Sequence, residues 1–208
     1  MDLNVFKKLP IMGILRGIKS ESITPLVEAI VSSGLKTIEI TMNTDGAPAL
    51  ITQMVQATKN RLMIGAGTVL TLDDLNLALD AGATFIVSPV CRKDIIQTCV
   101  TKSIPVFPGA FTPNEIYTAW ESGASMVKLF PAHVFGPDYI NVIKAPLQNI
   151  ELLACGGVTV QTIKKYFLKG ASAVAFGASI FNKEKILQGQ FASIEDSIKQ
   201  LIRAYTQQ

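Results

Sequence analysis

Two charged residues stand where charge is least expected. Lys128 lies inside the otherwise apolar run SGASMVKLFPA, and Glu39 sits in the β-rich run KTIEIT. An ammonium group among apolar neighbours has its charged form disfavoured, which frees the amine for nucleophilic attack on a carbonyl carbon. A carboxylate within reach could move protons for that chemistry, although as an ion-pair partner it would also oppose the loss of charge. Arg16 ends the run IMGILRG, where a planar guanidinium can grip a carboxylate through two parallel hydrogen bonds, or simply form a salt bridge at a rim. Three glycine-bearing run ends complete the set: GAGT at Gly65–Thr68, CGG at Cys155–Gly157 and FGAS at Phe176–Ser179. Glycine lets a backbone approach a ligand closely, and tight turns use it equally well.

Those residues need a frame. Eight short β-rich runs alternate with helical stretches: PIMGILRG, KTIEIT, LMIGAGT, TFIVSP, IPVFPG, SMVKLFP, ELLACGG and SAVAFG. Helical patterns such as SITPLVEAIVSS, TLDDLNLALDAG and TPNEIYTAWESG lie between them, and SIEDSIKQLIRAY reads as a last helix. Such alternation predicts βα units on a parallel sheet. The segments SSGLKTIEI, DAGATFIVS, ESGASMVKL and LKGASAVAF repeat a helix-ending glycine followed by a strand. A closed (β/α)8 barrel, an α/β fold occupying residues 1–208 as one domain, is the simplest shape with that regularity. A doubly wound open sheet is the alternative, and it would need a topological switch point.

The repeat also predicts side-chain geometry. Counting five residues on from Gly34, Gly82, Gly123 and Gly170 gives Glu39, Val87, Lys128 and Ala175. Alternate strands of a barrel give four side chains to one interior layer, so these four are expected at one height inside it. Ile38, Ile40, Val127 and Leu129 then face the helices. Both charged residues fall near the C-terminal ends of their strands, where barrel enzymes carry their sites. A purely structural ion pair explains them poorly, because removing two charges from water usually costs more than their attraction returns. CGG and FGAS end the seventh and eighth strands, where barrels bind phosphate through backbone N–H groups and a helix N-terminus.

Composition narrows the classes. The chain has 208 residues, 49% of them hydrophobic and 17% charged, enough to bury a sizeable core. A net charge of +3 with scattered basic residues points away from nucleic acid. No apolar run has the length of a membrane span, and MDLNVFKKLP lacks the apolar stretch of a signal peptide. Three separated cysteines and a single histidine, His133, predict a cytoplasmic protein with no metal and no cofactor. His133 reads equally as a surface or a catalytic residue, Trp120 and Tyr117 are expected in the core or at an interface, and the cysteines are expected as small packing residues.

The motifs IEIT, GAGTV, VSP, FPG, VKLFPA and CGGV, in this order along nearly the whole chain, resemble those of the class I aldolases that cleave 2-keto-3-deoxy-6-phospho-sugar acids. That family comprises trimeric (β/α)8 barrels acting on the gluconate or galactonate 6-phosphates or on 4-hydroxy-2-oxoglutarate. The resemblance implies a Schiff base between Lys128 and the substrate's C2 carbonyl, with Glu39 moving protons through a water. It implies that Arg16 and Thr68 hold the pyruvyl carboxylate and that Pro89 and Phe130 line the site. Gly156, Gly157, Gly177 and Ser179 would hold the phosphate, and the products would be pyruvate and D-glyceraldehyde 3-phosphate. Some gluconate-specific members carry arginine two residues after the threonine of the IEIT-like motif; here Asn43 stands there, which looks more like the galactonate branch. Two other readings of the same residues are a non-covalent sugar-phosphate isomerase or epimerase with Glu39 as base, and a non-catalytic sugar-phosphate sensor.

Overall fold

A computed structural model describes residues 1–207. A short helix α1 (Leu3–Lys8) leads into β1 (Ile11–Leu15), and the chain then alternates: α2 (Ile23–Ser33), β2 (Thr37–Thr41), α3 (Ala47–Thr58), β3 (Met63–Gly67), α4 (Leu72–Asp80), β4 (Ile86–Val87) and α5 (Lys93–Thr101). The fifth stave is two short strands, β5 (Val106–Phe107) and β6 (Gly109–Ala110). Then follow α6 (Pro113–Glu121), β7 (Val127–Leu129), α7 (Asp138–Lys144), β8 (Leu152–Cys155), α8 (Ile163–Leu168), β9 (Ala173–Phe176), α9 (Lys183–Leu187) and α10 (Phe191–Thr206).

All pairings are parallel, in the order β5-β4-β3-β2-β1-β9-β8-β7-β6. The two ends of that order are consecutive in the chain, so the sheet closes into a (β/α)8 barrel through Pro108. The run IPVFPG is therefore not one continuous strand as its pattern predicts. Pro108 has no N–H for the ladder; its carbonyl still accepts from the Lys128 N–H at 2.9 Å. Before the break the stave pairs with β4, and after it with β7.

Local chemistry explains the element boundaries. Thr71 and Thr112 cap α4 and α6 through reciprocal bonds with Asp74 and Glu115. The four repeat glycines take left-handed backbone angles, with φ of 89° at Gly34, 96° at Gly82, 100° at Gly123 and 98° at Gly170. A residue with a Cβ would be strained there, so each glycine ends its helix and turns the chain into the next strand.

Two apolar layers result. The outer one, between sheet and helices, holds Ile38, Ile40, Val127 and Leu129. The inner one fills the barrel with Met12, Phe85, Val87, Phe107, Leu153 and Ala175, among others. Phe6 of α1 closes the N-terminal end, its ring edge-on to Phe107 at 6.0 Å between centroids. The floor is thus sealed by aromatics, and the C-terminal end stays available for polar groups.

Candidate active site

The interior layer expected from the glycine repeat is present. Val87 and Ala175 are buried in the inner cluster, and Glu39 and Lys128 are buried at 1% and 6% exposure. The strand registers place Glu39 beside Ile14 and Gly65, and Lys128 beside Gly109 and Leu153. Among the described residues the two charges make no contact within 4.0 Å, and the inner oxygen Oε2 of Glu39 has no hydrogen-bond partner. They are not a closed ion pair. An unsatisfied carboxylate oxygen in a barrel interior is costly for stability and available for chemistry.

Burial pushes the Glu39 carboxyl above the ordinary range, against the opposing pull of the Lys128 and Arg16 charges. Desolvation of the anion outweighs both attractions. Glu39 therefore holds its proton more tightly than a surface glutamate does.

GAGT has a clear structural origin. Its glycines face inward, and what comes close to them is protein. A Cβ on Gly65 would strike the Phe85 ring, and one on Gly67 would lie 2.6 Å from the carboxyl carbon of Glu39. Gly67 thus makes room for the Glu39 carboxylate, and Gly65 for the aromatic floor below it. Gly109 has a comparable role: a Cβ there would strike the backbone of Pro89, so Pro89 sits against the stave that flanks Lys128.

Lys128 Nζ lies 5.4 Å from the centroid of the Phe130 ring, within cation–π range, and Phe130 is 39% exposed at the mouth. Arg16 donates from Nη2 to Oγ1 of Thr68 at 3.4 Å, so these residues meet although they come from different strands. Thr68 holds φ of 56°, an uncommon angle for threonine, at the end of β3. A pair of threonines, not singled out by the sequence reading, stabilises this corner: Thr44 Oγ1 accepts from the Gly17 N–H at 3.0 Å and lies 3.0 Å from Thr41 Oγ1. The IEIT motif ends at Thr41, and Thr44 follows three residues later.

The two glycine-rich ends are adjacent. Ser179 Oγ donates to the Val158 carbonyl at 3.1 Å, tying the loop after β9 to the loop after β8. Gly156 and Gly157 take φ of 108° and 69°, which glycine adopts without strain. Among the described residues the N–H groups of Gly157, Val158, Ala178 and Ser179 donate to no protein acceptor. The helices that follow are short, with six residues in α8 and five in α9, so loop amides and not a long helix form any anion cradle here.

Two sequence expectations need refinement. Cys155 is indeed buried, yet it lies inside the barrel near Lys128 and Glu39, whose charges act on its thiol. Burial pushes that thiol's pKa up. His133 is on the surface, but its ring packs against the Gly156–Gly157 turn, with Nδ1 2.9 Å from where a Gly156 Cβ would stand. Trp120 packs on the outer core, and Tyr117 is half-exposed. No helix among the described residues is long and apolar enough to cross a membrane.

Comparison with known proteins agrees with this geometry. The family model "Aldolase: KDPG and KHG aldolase" matches residues 3–197. The chain is 34% identical over 175 residues to the 2-dehydro-3-deoxy-6-phosphogalactonate aldolase of Escherichia coli K12, covering 84% of this chain and 85% of that one. It is 32% identical over 200 residues to the 2-dehydro-3-deoxy-phosphogluconate aldolase of Haemophilus influenzae, covering 95% and 91%. A solved structure described as native KDPGal superposes with a TM-score of 0.90 at 30% identity, covering 96% of both chains. With an inward lysine and glutamate at the C-terminal end of a barrel and these relatives along nearly its whole length, the chain belongs to the KDPG and KHG aldolase family of carbon–carbon lyases.

Proposed function

We propose that this enzyme is a class I aldolase that cleaves 2-keto-3-deoxy-6-phosphogalactonate, or its gluconate C4 epimer, to pyruvate and D-glyceraldehyde 3-phosphate. The buried Lys128, with Glu39 in the same interior layer but not paired to it, carries this reading. In its neutral form Nζ of Lys128 attacks the C2 carbonyl. Glu39 and a water shuttle the protons that convert the carbinolamine to an iminium with loss of water. Proton removal from the C4 hydroxyl lets the C3–C4 bond break, its electrons flowing into the iminium to give an enamine and releasing the aldehyde. Protonation of the enamine at C3 and hydrolysis return pyruvate and the free amine. A Glu39 carboxyl raised by burial suits a group that alternates between acid and base in these steps.

The remaining roles follow from position. Arg16 and Thr68, already in contact, hold the C1 carboxylate. Phe130 and Pro89 wall the keto acid. The loop amides around Gly156, Gly157, Gly177 and Ser179 take the phosphate, among them the free N–H groups of Gly157 and Ser179. Asn43, a neutral side chain where some gluconate-specific members carry arginine, leaves Arg16 as the main carboxylate grip; this favours the galactonate acid, with the gluconate acid as a second substrate. The working form is a cytoplasmic homotrimer, for which the support is the family resemblance.

Borohydride reduction with pyruvate tests the chemistry. A stable adduct mapped to Lys128, absent in Lys128→Ala, is the expected result. Enolisation of pyruvate with no adduct would instead indicate non-covalent base catalysis by Glu39. Comparing kcat/KM for both 6-phosphates and 4-hydroxy-2-oxoglutarate fixes the substrate, and light scattering reads the trimer.

A further inference from the structure

We propose that Lys183 supplies the cation that selects the phosphorylated end of the substrate; this rests on the aldolase reading above. Lys183 is the first residue of α9, immediately after the loop that carries Gly177 and Ser179. It lines a cleft of about 450 Å³ with Ile14, Arg16, Gly177, Ala178 and Phe181. Ile14 is the strand partner of Glu39, so one wall of this cleft belongs to the strand beside the one that carries Glu39.

The charges along that cleft have one sign. Arg16 and Lys183 are the ionisable residues that line it. The substrate carries a carboxylate and a phosphate ester, the latter with about −1.5 to −2 charge at pH 7. Arg16 leans toward Thr68, and on the aldolase reading it engages the carboxylate, which leaves the phosphate with neutral loop amides. Neutral donors orient an anion, but a cation adds the attraction that separates a phosphorylated from an unphosphorylated acid. Lys183 is available for this: among the described residues its ammonium forms no ion pair or hydrogen bond, whereas Lys185, two positions on, donates to Ser193 Oγ at 3.1 Å. Its flexible stem lets the charge reach the loop from the exposed rim.

The test uses the full-length enzyme and the variants Lys183→Gln, Lys183→Arg and, as control, Lys185→Gln. Lys183→Gln is expected to raise KM for the 6-phospho acid about twofold to fivefold, the range for an exposed charge pair, with kcat little changed. Its KM for the unphosphorylated parent of the same sugar acid, which lacks any anion at that end, stays as in wild type, Lys183→Arg restores most of the loss, and Lys185→Gln behaves as wild type. The wild-type advantage shrinks in high salt. Equal losses on both acids, or no loss on either, overturn the proposal. Failure of the aldolase reading appears differently, as no cleavage of any of these acids by the wild type. Titration with inorganic phosphate reads Lys183 independently of turnover: weaker binding by Lys183→Gln is expected, and equal binding overturns the assignment.

Discussion

Gly67→Ala is the most direct perturbation of the way the barrel holds Glu39. Gly67 does not have a positive φ, so alanine fits its backbone, and the effect comes from the added methyl alone. That methyl would stand 2.6 Å from the carboxyl carbon of Glu39, where ordinary carbon contacts lie at about 3.5–4.0 Å. The carboxylate must therefore shift by about 1 Å, inside a layer already filled by Val87, Lys128 and Ala175. Overpacking of this kind costs about 1–3 kcal/mol. For a chain of this length each kcal/mol lowers Tm by about 2–4 °C. A 1 Å misplacement of a proton-transfer group lowers kcat about 100-fold. Borohydride trapping of pyruvate should still reach full occupancy of Lys128, only more slowly, because the nucleophile itself is not displaced. Adding Glu39→Ala removes the obstructing carboxylate, so most of the stability cost of Gly67→Ala should vanish in the double variant. Costs that simply add, within about 0.5 kcal/mol, would refute the steric coupling, as would a folded Gly67→Ala enzyme with wild-type kcat.

Other expectations are more compact. Lys128→Ala should abolish both cleavage and the trapped adduct while remaining folded by circular dichroism; residual lyase activity near wild type would remove Lys128 from the chemistry. Arg16→Ala should raise KM for the keto acid and weaken pyruvate binding by about tenfold, the value of a charged hydrogen bond, with a smaller change in kcat. Glu39→Gln should alter the pH dependence of stability. Because burial raises the folded-state value of Glu39 above its ordinary 4.5, the stability contributed by its proton is fully present below 4.5 and is lost as pH rises through the folded-state value. Denaturant midpoints of wild type should therefore fall relative to Glu39→Gln across that window, and parallel curves would contradict the shift. Gly65→Ala, which meets Phe85 and not Glu39, should destabilise the barrel without slowing the chemistry of the molecules that remain folded.

The sequence by itself determined the frame and the layer. Four glycines fixed where helices end, because left-handed backbone is cheap only for glycine, and the two-residue period of a strand then set Glu39, Val87, Lys128 and Ala175 on one face. Local signals of that kind survive in a linear pattern because each depends on residues close in the chain. What the fold decided depends on residues far apart. That Gly65 and Gly67 make room for Phe85 and Glu39 follows from a strand neighbour and a side chain twenty or more positions away. The break of the fifth stave at Pro108 follows from barrel closure, which draws one half to β4 and the other to β7. The contact of Arg16 with Thr68, the threonine bracket beneath it and the placement of Cys155 beside Lys128 are likewise consequences of curvature. Nor could spacing reveal that Lys128 and Glu39 share a layer without forming an ion pair. Separation within the barrel is a matter of radius and rotamer, which only the closed sheet sets, and it leaves a buried carboxylate oxygen without a hydrogen-bond partner.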